Sequence, residues 1–319
     1  MLFPISGVEV SPIIPFLVAL VVSFLTSMGG VSGAFLLLPF QMSFLGYTSP
    51  SVSATNQLFN VIAIPSGVYR YWKEGRMVWP LTWVVILGTL PGVFIGAIIR
   101  IGYLPNPKNF KLFAALILLY IGLRMVRNLI HMPIEGIGKA SNEKRFQELV
   151  REYKRKTENS KKKGKEVLPA VRTITFNLKH IQYNFYGDQF NVNIEGVFFL
   201  SFIVGIVGGI YGIGGGAIIA PFFVSVFGLP VYTVAGAALM GTFVTSIAGV
   251  IFYQCIAPFY PHMSVAPDWL LGALFGLGGT VGMYLGARFQ KFVPAKIIKW
   301  MLAVIIIFTA FKYIFGFFQ

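Results

Sequence analysis

GVSGAFLLLPF, Gly30 to Phe40, and GIGGGAIIAPF, Gly212 to Phe222, are two versions of one pattern in this chain. Setting residue n against n+182 superimposes them without a gap and carries Gly46 onto Gly228 and Gly67 onto Gly249. Further on, Gly88, Gly92 and Gly96 match Gly278, Gly282 and Gly286 at a shift of 190, the added residues falling around Pro258 to Pro267. The chain is a duplicated unit. Each copy has a Gly-broken segment, a helix striped with small and polar residues, a GxxxGxxxG helix and a more uniformly apolar helix.

The solvent of that unit follows from composition. Of 319 residues, 56% are hydrophobic and only 12% charged, with a mean hydropathy of +0.74. A soluble domain needs about twice that charge to hold its surface in water, so a soluble globular enzyme is excluded and a lipid environment indicated. The single cysteine, Cys255, rules out an intrachain disulfide and a cysteine-based metal cluster. MLFPISGVEV has no basic residue before its first apolar run, so a cleaved signal peptide is not expected.

Ten apolar stretches can be read. Six of them, Ser51–Tyr71, Val78–Ile101, Leu112–Ile130, Tyr232–Tyr253, Trp269–Phe289 and Ile297–Phe318, have 19 to 24 residues. As helices at ~1.5 Å per residue they cover the ~30 Å hydrocarbon core. The other four, Ile13–Met28 with Ala34–Leu45 and Gly196–Tyr211 with Ala217–Phe227, are shorter and meet at the glycine clusters. They predict broken helices or re-entrant hairpins. The domains expected are a first transmembrane repeat (1–130), a basic insertion (131–195) and a second repeat (196–319).

Charge orients the unit, since Lys and Arg stay on the cytoplasmic side of short loops. The insertion carries 13 of the 26 Lys and Arg, so it is placed inside. If both broken segments enter and leave by one face, the halves are inverted, and only Arg100, Lys108, Lys111 and Lys312 fall outside, 22 inside against 4. A single crossing by the second segment gives parallel halves and the poorer division of 19 to 7. The expectation is an all-α polytopic membrane protein of two inverted repeats, each a Gly-broken helical hairpin plus three transmembrane helices. The insertion is cytoplasmic and both termini are outside. Repeats built on discontinuous helices are a transporter arrangement, with the substrate near the midplane where the breaks meet.

Non-helical backbone at membrane depth is tolerable only where protein or a water-filled cavity receives it. Gly30 and Gly33 in one break, and Gly212, Gly214, Gly215 and Gly216 in the other, permit unusual backbone angles and close ligand approach. Short helices expected from Ala34 and Ala217 would aim N-terminal N–H groups at an anion. Simple close packing competes with this reading; it is accepted for Gly88, Gly92, Gly96 and their counterparts. Pro39 and Pro221, shortly after each break, are read as structural. On the next helix Asn56, Asn60, Ala63 and Gly67 share a face, with Ala238, Thr242, Thr245 and Gly249 as counterparts. Cavity lining and interhelical hydrogen bonding remain open for that stripe. Ser32 in the first break, and Thr55, Gln57 and Ser246 beside the stripes, complete the polar set. The candidate substrate-binding residues are Gly30, Ser32, Gly33, Asn56, Gln57, Asn60, Gly212, Gly214, Gly215, Gly216, Thr242, Thr245 and Ser246.

Every acidic residue lies outside the apolar spans or at their ends, and His131, His180 and His262 lie in loops. No intramembrane proton relay, metal site or catalytic constellation can be assembled, so no cofactor and no enzymatic activity are expected. An anion leaving a negative interior needs no relay, because the potential drives it out.

The insertion has 13 basic and 8 acidic residues. Ser141 followed by the stripe Phe146, Leu149, Val150 and Tyr153 predicts a helix ending before Lys161, Lys162 and Lys163. Alternation at Ile174, Phe176 and Leu178, with a turn at Gly187-Asp188 before Phe190 and Val192, predicts a β-hairpin. A ligand sensor, a partner site, a headgroup contact and a solvated linker all fit this composition.

GIGGGAIIAP, its weaker copy GVSGAFLLLP, the segment SATNQLFN (Ser53 to Asn60) and the basic loop YRYWKEGRM after it resemble the TauE/SafE family of sulfite exporters. The resemblance covers nearly all of 1–130 and 196–319. It implies an inner-membrane carrier moving sulfite, sulfoacetate or related organosulfonates, usually outward. Ser32 and Ala34 stand where a full glycine run would, and the 65-residue insertion departs from the usual pattern. The function expected is export of a small sulfur-containing anion. An ion-coupled uptake permease for a carboxylate or sulfonate is the alternative within transport, and a membrane receptor or scaffold working through the insertion is the alternative of another class. The partners expected are a small anion and membrane lipid, with a homodimer left open and no nucleic acid.

Overall fold

The structure is a computed structural model. It describes all residues except 29–31, 74, 76, 131–170, 178, 186, 187, 217, 230, 290–294 and 319. A small hairpin, β1 (Leu2–Phe3) with β2 (Val8–Glu9), precedes α1 (Ile13–Met28), α2 (Ala34–Ser43), α3 (Ser51–Ala63), α4 (Pro65–Lys73), α5 (Trp79–Gly102) and α6 (Pro107–Ile130). After the insertion strands β3 (Val171–Phe176), β4 (His180–Phe185) and β5 (Asp188–Asn193) come α7 (Ile194–Tyr211), α8 (Ile219–Val226), α9 (Val231–Ile256), α10 (Trp269–Phe289) and α11 (Ala295–Phe318). Six helices among the described residues are long and apolar enough to cross a membrane. The chain is an all-α polytopic membrane protein with small sheets added.

Two spans differ from expectation. Ser51–Tyr71 is two helices rather than one, because Pro65 has no N–H to continue the ladder beyond Ile64. The chain resumes with Gly67 and Val68 both donating to the Ile64 carbonyl, and Gly67 therefore sits on a different helix from Asn56 and Asn60. The segment at 196–211, expected to be short, begins at Ile194 and counts among the six long helices. Asn193 accounts for the earlier start: its side chain accepts from the N–H groups of Glu195 and Gly196, an N-cap that lets the helix follow β5 without a linker.

The halves pack reciprocally. α5 lies along α7 and α1 along α10, so the GxxxGxxxG helix of each half receives the first helix of the other. α6 pairs with α11 and α3 with α9. The glycine seams set the depth of these contacts. A methyl on Gly92 would stand 2.4 Å from the Phe202 carbonyl oxygen, and one on Gly282 would stand 2.2 Å from that of Leu20. Gly88 and Gly96 likewise meet Phe198 and Ile206, while Gly278 and Gly286 meet Phe16 and Phe24. Backbone meets backbone along both seams, the close packing that small residues allow between apolar helices lacking a hydrophobic driving force.

Contacts also fix direction. α5 and α9 start against the insertion sheet, where Val78, Leu81, Val234 and Ala237 pack on Ile181, Tyr183 and Val192. Both finish at the other end, where Ala97 and Ile101 meet Tyr253 and Val265. There Ser6 bonds Asp268, Ser264 donates to the Ile5 carbonyl, and Ser51 N–H bonds the Ser264 carbonyl. So α1 and α2 form a hairpin open toward the N-terminal end. α7 and α8 form one open toward the sheet, with Ile219 and Phe223 packed in the sheet cluster beside Val197. The described residues of the two breaks, 32–33 and 212–216, lie at the ends of these hairpins away from their openings.

The insertion carries a three-stranded antiparallel sheet, β3-β4-β5, rather than a two-stranded hairpin. Its apolar alternation misled in one respect. A bulge between Thr173 and Thr175 leaves Ile174 unpaired and sets Phe176 opposite Ile181; Ile174 and Phe176 are both exposed, while Ile181, Tyr183, Phe185 and Val192 are buried. The helix expected after Ser141 lies outside the described residues.

Candidate functional site

The site is built where the hairpin tips meet α3 and α9. Asn60 on α3 is its centre. The Asn60 amide donates to the Ile213 carbonyl in the second break at 2.9 Å and to Ser246 Oγ on α9 at 3.4 Å. Its Oδ1 accepts from Ser32 Oγ in the first break at 3.2 Å. One carboxamide thus ties both breaks to both striped helices. Ser32 Oγ in turn accepts from Ala34 N–H at the start of α2, and Asn56 donates to the Ala34 carbonyl at 3.0 Å. Gln41 donates to Asn56 Oδ1.

On the other side Gly215 N–H donates to Thr245 Oγ1 at 3.1 Å. Thr242 and Thr245 also return their hydroxyl protons to the backbone, to Ala238 and Gly241 carbonyls, at 2.8 and 2.7 Å. Ser53 Oγ donates to Ile210 just ahead of the break. Ser32, Asn56, Gln57, Asn60, Thr242, Thr245 and Ser246 are all buried, so the candidate site lies in the interior of the bundle. Burying so many polar groups in an apolar bundle is favourable only when they are hydrogen-bonded, and most are. Gln57 is the exception: neither its Oε1 nor its Nε2 has a partner, and it lies so close to Gly249 that only a residue without Cβ fits there.

Twelve of the thirteen residues picked from the sequence fall in the described structure; Gly30 does not. Ser32, Asn56, Asn60 and Ser246 are linked at one point, with Thr242 and Thr245 on the far side of the second break, while Gln57 stands apart against Gly249. The glycines do something narrower than expected. Gly212 and Gly214 have φ of 78° and 77°, a left-handed conformation that favours glycine. Gly212 closes α7, its N–H and that of Ile213 both bonding the Gly208 carbonyl. A methyl on Gly215 would meet Thr89 Cβ at 2.4 Å, one on Gly216 the Ala238 carbonyl oxygen at 2.1 Å, and one on Gly33 the Ser23 Oγ at 2.9 Å. Here these glycines admit α1, α5 and α9 to the breaks. The helix after the second break begins at Ile219, two residues later than Ala217.

Residues missed from the sequence surround this centre. Thr89 on α5 packs against Gly215. Ser23 and Thr26 on α1 face Gly33. At the N-terminal end Tyr47, in the α2–α3 loop, bonds Ser51 at 2.5 Å and Thr55 at 2.8 Å, and burial pushes its phenol far above the ordinary range, so it stays a neutral hydroxyl. Arg100, near the end of α5, is fully buried. Its signal was plain, a lone charge in an apolar span, which by itself is a reason to suspect function.

No group of His, Cys, Asp and Glu that could hold a metal ion occurs among the described residues. The profile of the family described as Sulfite exporter TauE/SafE matches residues 15–313. No curated protein matches the chain, and no solved structure does.

Proposed function

The chain belongs to the sulfite exporter TauE/SafE family, a family of membrane transporters, and from that premise we propose that it exports a small sulfur-containing anion, sulfite or an organosulfonate such as sulfoacetate, by alternating access. The anion binds where the two broken hairpins meet on Asn60. The observation carrying this reading is the Asn60 carboxamide itself, bonded to Ser32 in one break and Ile213 in the other. A group holding both halves together at one point is where exchange between two conformations would open and reseal the site. The Asn56 amide, with one N–H given to Ala34, and the Ser246 hydroxyl suit sulfonate oxygens, while Asn60, Thr242 and Thr245 donate to protein partners in this arrangement.

The halves act as inverted repeats, a reading supported by hairpins opening toward opposite ends and by the reciprocal pairing of α1 with α10 and α5 with α7. The insertion lies in the cytoplasm and both termini outside, in the inner membrane. Flux from proteoliposomes across sulfite, sulfate, sulfoacetate, isethionate and acetate tests the proposal. Movement of sulfite or sulfonates down their own gradient supports it; uptake of acetate strictly dependent on a sodium gradient replaces it with a coupled permease.

A further inference from the structure

Arg100 has no place in that site, and its surroundings are unusual. The side chain is fully buried in the last turns of α5. Nη1 donates to the Leu104 carbonyl and Nη2 to that of Thr48 at 2.7 Å, while the guanidinium lies over the Phe110 ring, 3.6 Å from its centroid. Both hydrogen-bond partners are neutral. Nε is buried without a partner. The buried carboxylate of this end, Asp268, is taken up by Ser6 N–H, Ser6 Oγ and Leu271 N–H.

A buried cation held only by carbonyls and an aromatic face is incompletely compensated, and the missing component is negative charge. The guanidinium is a planar fork suited to oxyanions, and its charge does not titrate in the working range. Arg100 also stands one layer from the second break. Tyr47 and Tyr253 are its electrostatic neighbours. Tyr253 shares a cluster with Ala54, Ala97 and Ile101, and its hydroxyl donates to the Gly209 carbonyl, three residues before Gly212. Ser53, whose backbone abuts Gly212, borders the same layer. At the repeat shift of 190 the counterpart of Arg100 is Gln290, so the arginine is not repeated at the equivalent position.

We propose that Arg100 is a second anion-binding position, a way-station for a small oxyanion between the buried Asn60 site and the end of the bundle formed by loops 44–50 and 257–268. This rests on the transport reading above. Isethionate flux through the full-length protein in proteoliposomes tests it, with Arg100→Gln and Arg100→Lys compared at matched abundance and the melting temperature of each measured alongside. Arg100→Gln raises KM for isethionate about tenfold or more, as expected for loss of a charge-assisted contact. Arg100→Lys, keeping the charge without the fork, recovers only part of that loss.

A residue serving only to staple the two loops gives a lower melting temperature with unchanged KM. Wild-type flux together with an unaltered KM in Arg100→Gln overturns this proposal and leaves the transport reading standing. Wild-type protein that moves no small anion overturns both. If Arg100→Gln is not recovered folded, Arg100→Lys decides alone: about a threefold rise in KM supports the site, and none refutes it.

Discussion

Asn60 and Ile213, 153 positions apart, are joined by a 2.9 Å hydrogen bond from the Asn60 amide to the Ile213 carbonyl. That carbonyl belongs to the break after α7, where helical partners are lost. The donor comes from the opposite half, so the second break is completed by a side chain of the first. Asn60→Asp keeps the size and removes both donors, setting a carboxylate against a carbonyl oxygen. Sulfonate flux in that variant falls at least about tenfold, while Asn106→Asp, at an exposed loop position where Asn106 Oδ1 caps Lys108 N–H, transports normally. Equal flux in the two would remove Asn60 from the site.

Gly92 and Gly102 lie on the same helix and differ only in what surrounds them. A methyl at Gly92 meets the Phe202 carbonyl oxygen at 2.4 Å and Ile206 N at 2.8 Å, whereas at Gly102 nothing lies within 4 Å. Gly92→Ala must push α5 and α7 apart, costing about 1–3 kcal/mol, and lowers the melting temperature in detergent. Gly102→Ala, at the last residue of α5, leaves the melting temperature unchanged or slightly higher, helix propensity adding less than the ~1 kcal/mol of an interior position. A Gly92→Ala protein as stable as wild type would show that the seam is looser than drawn.

The duplication, most of the spans and both breaks were legible because glycine spacing and apolar run length are local signals. The convergence of Ser32, Asn60 and Ser246 was half legible, as two equivalent stripes whose meeting point depends on how the halves dock. Gln41, Ser53 and Thr89 were not, since single polar residues in apolar runs look alike until a partner is placed beside them. Arg100 was readable as a charge near the end of an apolar span, but its burial under Phe110 was not, since that depends on where α6 packs. Pro65 was equally visible, but a proline in an apolar run marks a kink without revealing that the helix is interrupted at Ile64 and resumes at Pro65.

The sheet is fastened to α9 by Tyr183 and Thr233, whose hydroxyls are 3.0 Å apart. Burial pushes the Tyr183 phenol from 10.0 up to about 12, opposed by the Thr233 bond. The neutral form is therefore favoured by folding, so its contribution is complete below pH 10 and declines as pH rises from 10 toward 12. Tyr183→Phe loses about 0.5–1.5 kcal/mol of docking and flattens that alkaline decline. Thermal melts at pH 8 and pH 11 check both effects; identical pH profiles would mean another group carries the transition.

Cys255 near the end of α9 is the chain's only cysteine and is exposed, so the wild-type protein is its own topology probe. With the 257–268 loop outside, a membrane-impermeant maleimide labels Cys255 in intact cells. Cysteines placed at 288 or 299 in a Cys255→Ser background react only after permeabilisation. Labelling of 288 from outside would defeat the inverted arrangement.

Driving force follows from the distribution of ionisable groups. Acidic residues and histidines lie outside the apolar spans or at their ends, as Asp268 does immediately before α10, and Arg100 keeps its charge throughout the working range. Nothing in the spans titrates between pH 5 and 8, so flux of a sulfonate, whose own charge is constant there, is nearly independent of pH. An inside-negative potential instead drives the anion outward with about 2.3 kcal/mol per net charge per 100 mV. Sulfite is a poor probe because its own protonation would imitate a titrating protein group. Isethionate efflux from proteoliposomes clamped with potassium and valinomycin, at two pH values without a gradient and then with one, separates the terms. Efflux that ignores the potential yet follows the pH gradient would refute uniport and require a proton carried by a group outside the apolar spans.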